Sequence, residues 1–384
     1  MAVYLIGFAL SVGLIAFGEK KRLPVFLGIS ALALLIPCLI AGLRAENIGT
    51  DVTVYVKQLT RCALVSDDLK DYFNCYWYAE WRNLYVKDYE LGFSFLVYVV
   101  ANIAKNMGAV LFAIQALTVL PIYIALSRNR QKMPVWFGML LYYFLFYNST
   151  LNMMRQWIAM GFLLLAFQLL LEKRGWLTAV FTAVAFLFHT SAILAVPIYL
   201  VYFLVWLPGR SKLVHGHLQV RISTVVAALF LCAGVLVLLN LSLVVRLLTS
   251  LGMDRFSVYL EGGQMRLLVT QIVLRLPLAV VLLLCWRELR DNCPAATFYL
   301  AMLFFDLIAS QLASVDENAI RISTYFSVFS LLWLPTMVGY VRPGAKRTLV
   351  IAGISVYAMA YWYYFYVMTL RHATYPYAFA SLFS

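Results

Sequence analysis

Apolar runs of about 15 to 21 residues recur along nearly the whole chain with short polar segments between them, close to the length a helix needs to cross a ~30 Å hydrocarbon core. Spans are predicted at 2–17, 24–43, 109–126, 133–148, 157–171, 175–188, 190–207, 222–240, 267–285, 296–313, 322–340 and 348–368. That is about twelve crossings. The polar segments set their direction. Lys and Arg gather in EKKR at 19–22, SRNRQK at 127–132, EKRG at 172–175, PGRSKLVHGHLQVR at 208–221, WRELR at 286–290 and VRPGAKR at 341–347. Cationic loops stay on the cytoplasmic side, so the N-terminus and the intervening segments face outward.

One apolar stretch, 91–106, breaks this alternation if it crosses, because every later basic segment would then face outward. It is read as a re-entrant or interfacial half-helix, whose irregular backbone must be covered by protein. The runs at 175–188 and 190–207 are joined by little more than Phe188, His189, Thr190 and Ser191. Such a turn is expected below the membrane surface in a protein-lined cavity.

Composition excludes a soluble globule: 64% of the 384 residues are hydrophobic and only 12% charged. One integral-membrane domain over 1–384, with an outer loop at 44–90, is the economical reading, in an all-α polytopic transmembrane helix bundle. The net charge of +13 sits in the short basic loops, so it reports topology and gives no support for nucleic acid. The first 22 residues lack a basic leader and a small-residue cleavage site, as expected of a retained first helix. In the outer loop, CYWYAEWRNLY at 75–85 suits an amphipathic interfacial helix. Cys62 and Cys75 are either a disulfide, if the loop meets an oxidising compartment, or two free thiols. No Walker sequence or HExxH is present, so ATP hydrolysis and zincin proteolysis have no support.

The candidate chemistry lies on the outward segments. Asn152, Arg155, Gln156 and Ala159 fall at i, i+3, i+4 and i+7, one face of a predicted helix. An Arg there is either a snorkelling interface anchor or an anion binder. Asp51, in IGTD, is either a helix cap or a catalytic or sugar-binding carboxylate, with Arg44 upstream and Tyr55 four residues on. Glu90 opens an apolar helix, where the dipole favours a carboxylate in any case. His189 is either a core histidine or a proton-transfer group; no ligand partners at zinc spacing accompany it. Arg255 with Tyr259 and Arg321 with Tyr325 repeat a cation and a phenol four apart, read as interface pairs or as a receptor for phosphate oxygens. Arg275 and Asp306 fall at similar depth on adjacent spans, roughly 12 to 13 Å in, as a mutual ion pair or a cavity floor.

LRAENIGTDVTVY at 43–55, YELGFSFL at 89–96, NMMRQWIAMGFLLLA at 152–166, AFLFHTSAILAVPIY at 185–199, RISTYF at 321–326 and the late PY at 376–377 together resemble the EpsG family of bacterial exopolysaccharide polymerases, which are Wzy-like. The resemblance implies a membrane glycosyltransferase, GT-C-like in fold, that joins undecaprenyl-diphosphate-linked oligosaccharide units outside the bacterial cytoplasmic membrane, with a flippase and a chain-length regulator as partners. Carried over by position, the family's polar residues fall on Arg44, Asp51, Tyr55, Glu90, Asn152, Arg155, Gln156, His189, Ser191, Arg321 and Tyr325; the pattern near Arg255 is looser. Arg155 and Arg321 would neutralise the diphosphate, and Asp51, His189 or Glu90, in that order, would serve as base. No cofactor or metal is expected. The rival readings are a flippase for the same lipid-linked sugars, or an O-antigen ligase.

Overall fold

The computed structural model describes residues 1–79, 82–206, 266–316 and 318–380, with two short strands at 212–215 and 218–221 and isolated positions between 225 and 250. Most of the predicted span at 222–240 lies outside the described residues, as do Arg255 and Tyr259. Among the described residues the chain is a helical bundle with only short hairpins. It divides into two compact units, Met1–Ile193 with Ser355–Ser384, and Leu194–Ile354.

In the first unit, α1 (Ala2–Glu19) and α2 (Leu23–Gly42) pair, and α2 packs on α6 (Met107–Ser127). The loop at 44–90 supplies α3 (Lys57–Val65), α4 (Leu69–Asn74), β1 (Tyr76–Ala79) and β2 (Arg82–Tyr85), and α5 (Leu91–Ala104) follows. Next come α7 (Val135–Leu141), a π-helical turn at Tyr142–Phe146, α8 (Tyr147–Thr150), α9 (Met154–Leu171) and α10 (Gly175–Phe188). The most enclosed of the long apolar helices is α9, packed on α6 and α10. Its approach to α6 is close: a Cβ on Gly161 would lie 2.9 Å from the Thr118 carbonyl oxygen.

The second unit holds α11 (Ala195–Trp206), α12 (Val269–Leu284), α13 (Trp286–Asn292), α14 (Ala296–Ala309), α15 (Arg321–Ser327) and α16 (Ser330–Tyr340). The last helix, α17 (Ala345–Trp362), runs from the second unit back into the first and ends in a π-helical segment at Tyr363–Met368. Seven helices among the described residues are long and apolar enough to cross a membrane, or up to eight if the bent α12–α13 pair is one span. The count of twelve is thus not confirmed. Apolar stretches at 91–104, 175–188 and 190–205 form helices too short to meet that test. The half-helix expected at 91–106 is α5, about 21 Å long at 1.5 Å per residue.

Polar contacts sort the first unit's segments to two ends. At one end, Arg128 holds Glu172 through Nε at 2.6 Å and through Nη2, the Glu19 carboxylate accepts from the Val135 amide, and Arg130 lies over Phe26 at 4.8 Å. The basic segments 19–22, 127–132 and 172–175 are therefore on one side, as charge patterning predicts. At the other end lie the start of α1, the 44–55 loop, the start of α9 and the His189 turn. Tyr4 Oη, for example, donates to the Thr374 carbonyl at 2.7 Å.

Two expectations are corrected. The stretch 75–85 forms no interfacial helix: β1 and β2 pair as an antiparallel hairpin, with Tyr76 opposite Tyr85 and Trp77 opposite Leu84. Alternating exposure along Tyr76–Ala79, in a run rich in Tyr and Trp, is the period-two signature of a half-buried strand. Asn152 is not on a continuous helical face with Arg155 and Gln156, because α9 begins only at Met154. Its amide is instead engaged with the IGTD loop, a side-chain to backbone bond that competes with helix formation.

In the second unit, Arg275 and Asp306 form the expected ion pair, bidentate at 2.8 and 2.9 Å, with Arg275 also donating to the Gln271 amide oxygen at 2.8 Å. Asp306 is buried. Removing one partner of a buried pair leaves an uncompensated charge and costs about 3–5 kcal/mol. Arg275→Ala should therefore lower the steady-state amount of protein in the membrane, and Arg275→Met with Asp306→Leu should largely restore it. Quantitative blotting checks this; an undiminished Arg275→Ala protein would refute a structural role.

Candidate functional site

The site grows from a loop and three helix ends of the first unit. In the IGTD turn Gly49 has φ +84°, in the left-handed region, and a Cβ there would lie 2.5 Å from the Leu151 carbonyl oxygen. Only glycine allows this approach without strain. The turn is thereby pressed against the segment before α9: Asn152 Oδ1 accepts from Thr50 Oγ1 at 2.9 Å and from the Asp51 amide at 3.1 Å. Asp51 Oδ2 accepts from Tyr55 Oη at 2.7 Å across one turn of the π-helical segment Val52–Val56.

Tyr55 then meets the cation. The Arg155 guanidinium lies 4.7 Å from the Tyr55 ring and 5.0 Å from the Tyr89 ring, within cation–π range. Its Nη1 donates to Glu90 Oε2 at 2.5 Å, while Nε is buried without a partner among the described residues. Glu90 Oε1 lies 2.7 Å from His189 Nδ1. Asp51, Tyr55, Arg155, Glu90 and His189 thus form one continuous chain of contacts drawn from four separate stretches of sequence.

Electrostatics gives the members different characters. Burial alone would raise the Glu90 carboxyl, but the His189 hydrogen bond and the Arg155 charge outweigh it and hold the group down to about 2. Glu90 is a fixed carboxylate. Burial drives the Tyr55 phenol well above its usual range, reinforced by the neighbouring Asp51 charge, so it remains a neutral donor.

Arg44 is adjacent and unusual. It is 2% exposed, its Nη2 reaches Met154 Sδ at 3.4 Å, and Nε and Nη1 have no partner among the described residues. Burial lowers its pKa, and the phenols of Tyr147, Tyr4, Tyr377 and Tyr55 oppose that effect. A C-terminal strap covers it. Arg44 bridges Phe379 in antiparallel fashion, the Ala45 amide donates to the Ala378 carbonyl at 2.9 Å, and the Gly49 amide to the Ala373 carbonyl at 2.8 Å. His372, whose Nδ1 lies 3.2 Å from Asn152 Nδ2, comes with the strap.

Of the residues predicted from sequence, Arg44, Asp51, Glu90, Asn152, Arg155 and His189 gather in the first unit, and Gln156 is buried in the first turn of α9. Arg321 and the buried Tyr325 belong to the second unit, on α15. The sequence points to His372, with Arg371, as an outward polar residue of the C-terminal tail, but not to Tyr89 or Thr374. Tyr89 stands next to Glu90, which is the one signal that could have found it. Among the described residues no group of three or more His, Cys, Asp or Glu could hold a metal ion.

The 44–90 loop that carries Asp51 and Glu90 is closed by a disulfide between Cys62 and Cys75, Cα atoms 5.9 Å apart. Joining residues 13 apart restricts the unfolded loop by about 3 kcal/mol. Cys75→Ser should therefore increase proteolysis of the 62–90 segment in intact membranes, an effect absent if the thiols were free in the wild type. Thiol labelling with and without reductant measures the bond directly.

No protein of curated function and no solved structure matches the chain. The sequence pattern of the EpsG family matches residues 29–379, nearly the whole length and all of the site described above. The chain belongs to the EpsG family and is, in general terms, a multi-pass membrane polysaccharide polymerase.

Proposed function

We propose that the chain extends a polysaccharide by transferring the growing glycan from a lipid diphosphate, undecaprenyl diphosphate, to a hydroxyl of the next lipid-linked oligosaccharide. The reaction is placed at the outer face of the bacterial cytoplasmic membrane. The observation that carries this reading is the Glu90 carboxylate gripping Arg155 on one side and His189 on the other.

In such a transfer the bond from the anomeric carbon to the diphosphate oxygen breaks and a bond to the acceptor oxygen forms. Two needs follow: a cation for the departing diphosphate and a base for the acceptor proton. Glu90, fixed as a carboxylate, occupies His189 Nδ1 and orients the ring, which leaves Nε2 to take the acceptor proton. Arg155, held on Glu90, and Arg44, with Nε and Nη1 unpaired among the described residues, supply positive charge, with planar guanidinium groups suited to phosphate oxygens. Asp51, hydrogen-bonded to Tyr55, sets the position of the ring on which Arg155 rests. The disulfide in the loop carrying these groups supports the outward placement, because such bonds persist in oxidising surroundings.

The test is to supply purified protein in nanodiscs with undecaprenyl-diphosphate repeat units. Wild type should yield a ladder of lengthened lipid-linked glycans and free lipid diphosphate; no extension at any substrate level would overturn the reading. Gene deletion separates the rivals. Loss of polymer with single units still reaching the surface marks a polymerase, units retained inside a flippase, and long unattached polymer a ligase.

A further inference from the structure

The hairpin of the outer loop has two unlike faces. Residues directly opposite in an antiparallel pair share a face, so Tyr76 with Tyr85 and Tyr78 with Asn83 point one way, and Trp77 with Leu84 the other. The second face is turned inward. Leu84 is buried, and Trp77 stacks on Tyr89 with ring centroids 5.7 Å apart, the same Tyr89 that supports Arg155. Among the described residues the first face is open over Tyr76, Tyr78 and Asn83, and the Lys87 ammonium lies over the Tyr85 ring at 4.7 Å. Tyr76 is 58% and Tyr78 68% exposed, Asn83 is exposed, and Tyr85 leans on Tyr76 at 5.5 Å.

We infer that this outer face, Tyr76, Tyr78, Asn83 and Tyr85, is a binding platform for the glycan chain next to the catalytic group, holding the polymer between additions. The inference rests on the polymerase reading. The faces of an aromatic ring are electron-rich, and a pyranose presents a face of electropositive C–H groups, so rings lying along a strand receive successive sugars. Tyr76 and Tyr78 are two residues apart on β1, a separation of about 6.8 Å. Asn83, with two donors and an acceptor, serves sugar hydroxyls. The platform is also continuous with the site. Its inner face rests on Tyr89, the residue before Glu90, and its base is tied to α3 by Cys62–Cys75. A glycan on the outer face is therefore held one hairpin's thickness from the reacting end.

The test compares two double variants of the full chain in nanodiscs: Tyr76→Phe with Tyr78→Phe, which keeps the rings, and Tyr76→Leu with Tyr78→Leu, which keeps only apolar bulk. The probe is released polysaccharide from the producing strain, fractionated by length, and thiol labelling of Cys62 and Cys75 checks that the hairpin is anchored in each variant. The Leu pair should bind the long fraction about tenfold more weakly and shift the cellular ladder to short rungs, while the Phe pair matches wild type. Wild-type binding and ladder in the Leu pair would overturn the platform and assign the tyrosines to the membrane interface. Equal failure of the Phe pair would overturn stacking as the basis of recognition. Failure of the polymerase reading looks different, since the wild-type protein itself would then extend nothing.

Discussion

Arg155→Ala is expected to abolish chain growth, with extension of lipid-linked units falling on the order of a hundredfold to a thousandfold, the usual consequence of deleting a group that stabilises developing negative charge. The geometry adds a second effect. Arg155 is also Glu90's cation, and both side chains are largely enclosed. Removing it leaves a buried carboxylate with the His189 ring and the Thr190 amide beside it but no Arg155 charge, at a cost of up to about 3 kcal/mol. A drop in protein level is therefore expected together with lost activity, and the two must be separated. Arg155→Ala combined with Glu90→Gln removes the uncompensated charge, so its level should recover while chain growth stays absent. The measurements are the polymer ladder, the extension rate in nanodiscs and the amount of protein in the membrane. A normal ladder from Arg155→Ala would sink the assignment; recovery of activity in the double variant would reduce Arg155 to a structural partner of Glu90.

Much of this site could be read before any coordinates, for a definable reason. Membrane insertion penalises polar groups heavily, so the positions of Arg44, Asp51, Glu90, Arg155 and His189 between apolar runs carried information that similar residues in a soluble protein would lack. Positive-inside patterning likewise placed the segments at 19–22, 127–132 and 172–175 on one side, in agreement with the Arg128–Glu172 and Glu19–Val135 contacts. Pairings between distant segments were not legible. On sequence Glu90 stands last among the candidate bases, because a carboxylate at a helix start has a sufficient local explanation in the dipole. Only the fold shows that α9 and the end of α10 bring Arg155 and His189 to it from 65 and 99 residues away. The hairpin at 75–85 is not legible in the sequence, because aromatic residues serve both an interfacial helix and a strand, and a run this short does not separate the two periods. The strap's docking is not legible either, because a polar tail after the last apolar run has no periodicity to read.

That strap yields the second large expected effect. A chain ending at Thr369 should insert normally, since every apolar helix among the described residues precedes the stop, yet should form no polymer. Thr374 is fully buried and ties three elements together: its carbonyl accepts from Tyr4 Oη and its hydroxyl from Asn148 Nδ2 at 3.0 Å. Asn148 in turn accepts from Trp362 Nε1 at 2.7 Å. The Tyr377 ring packs edge-on against Tyr4 at 5.4 Å, and Tyr377 Oη donates to the Ile40 carbonyl. Cutting this away uncovers Arg44 to water and removes His372 from Asn152, which holds the Asp51 loop. A guanidinium in water is screened and less able to attract a diphosphate than one in a dry, phenol-lined setting. A single change probes the same element without deletion. The Ala380 amide donates to the Leu43 carbonyl at 2.8 Å, so Ala380→Pro removes that donor and loosens the strap beside Arg44. Its extension rate should lie between those of wild type and the truncated chain, with unchanged protein level. A truncated chain that still makes a full ladder would show that the strap plays no part in the reaction.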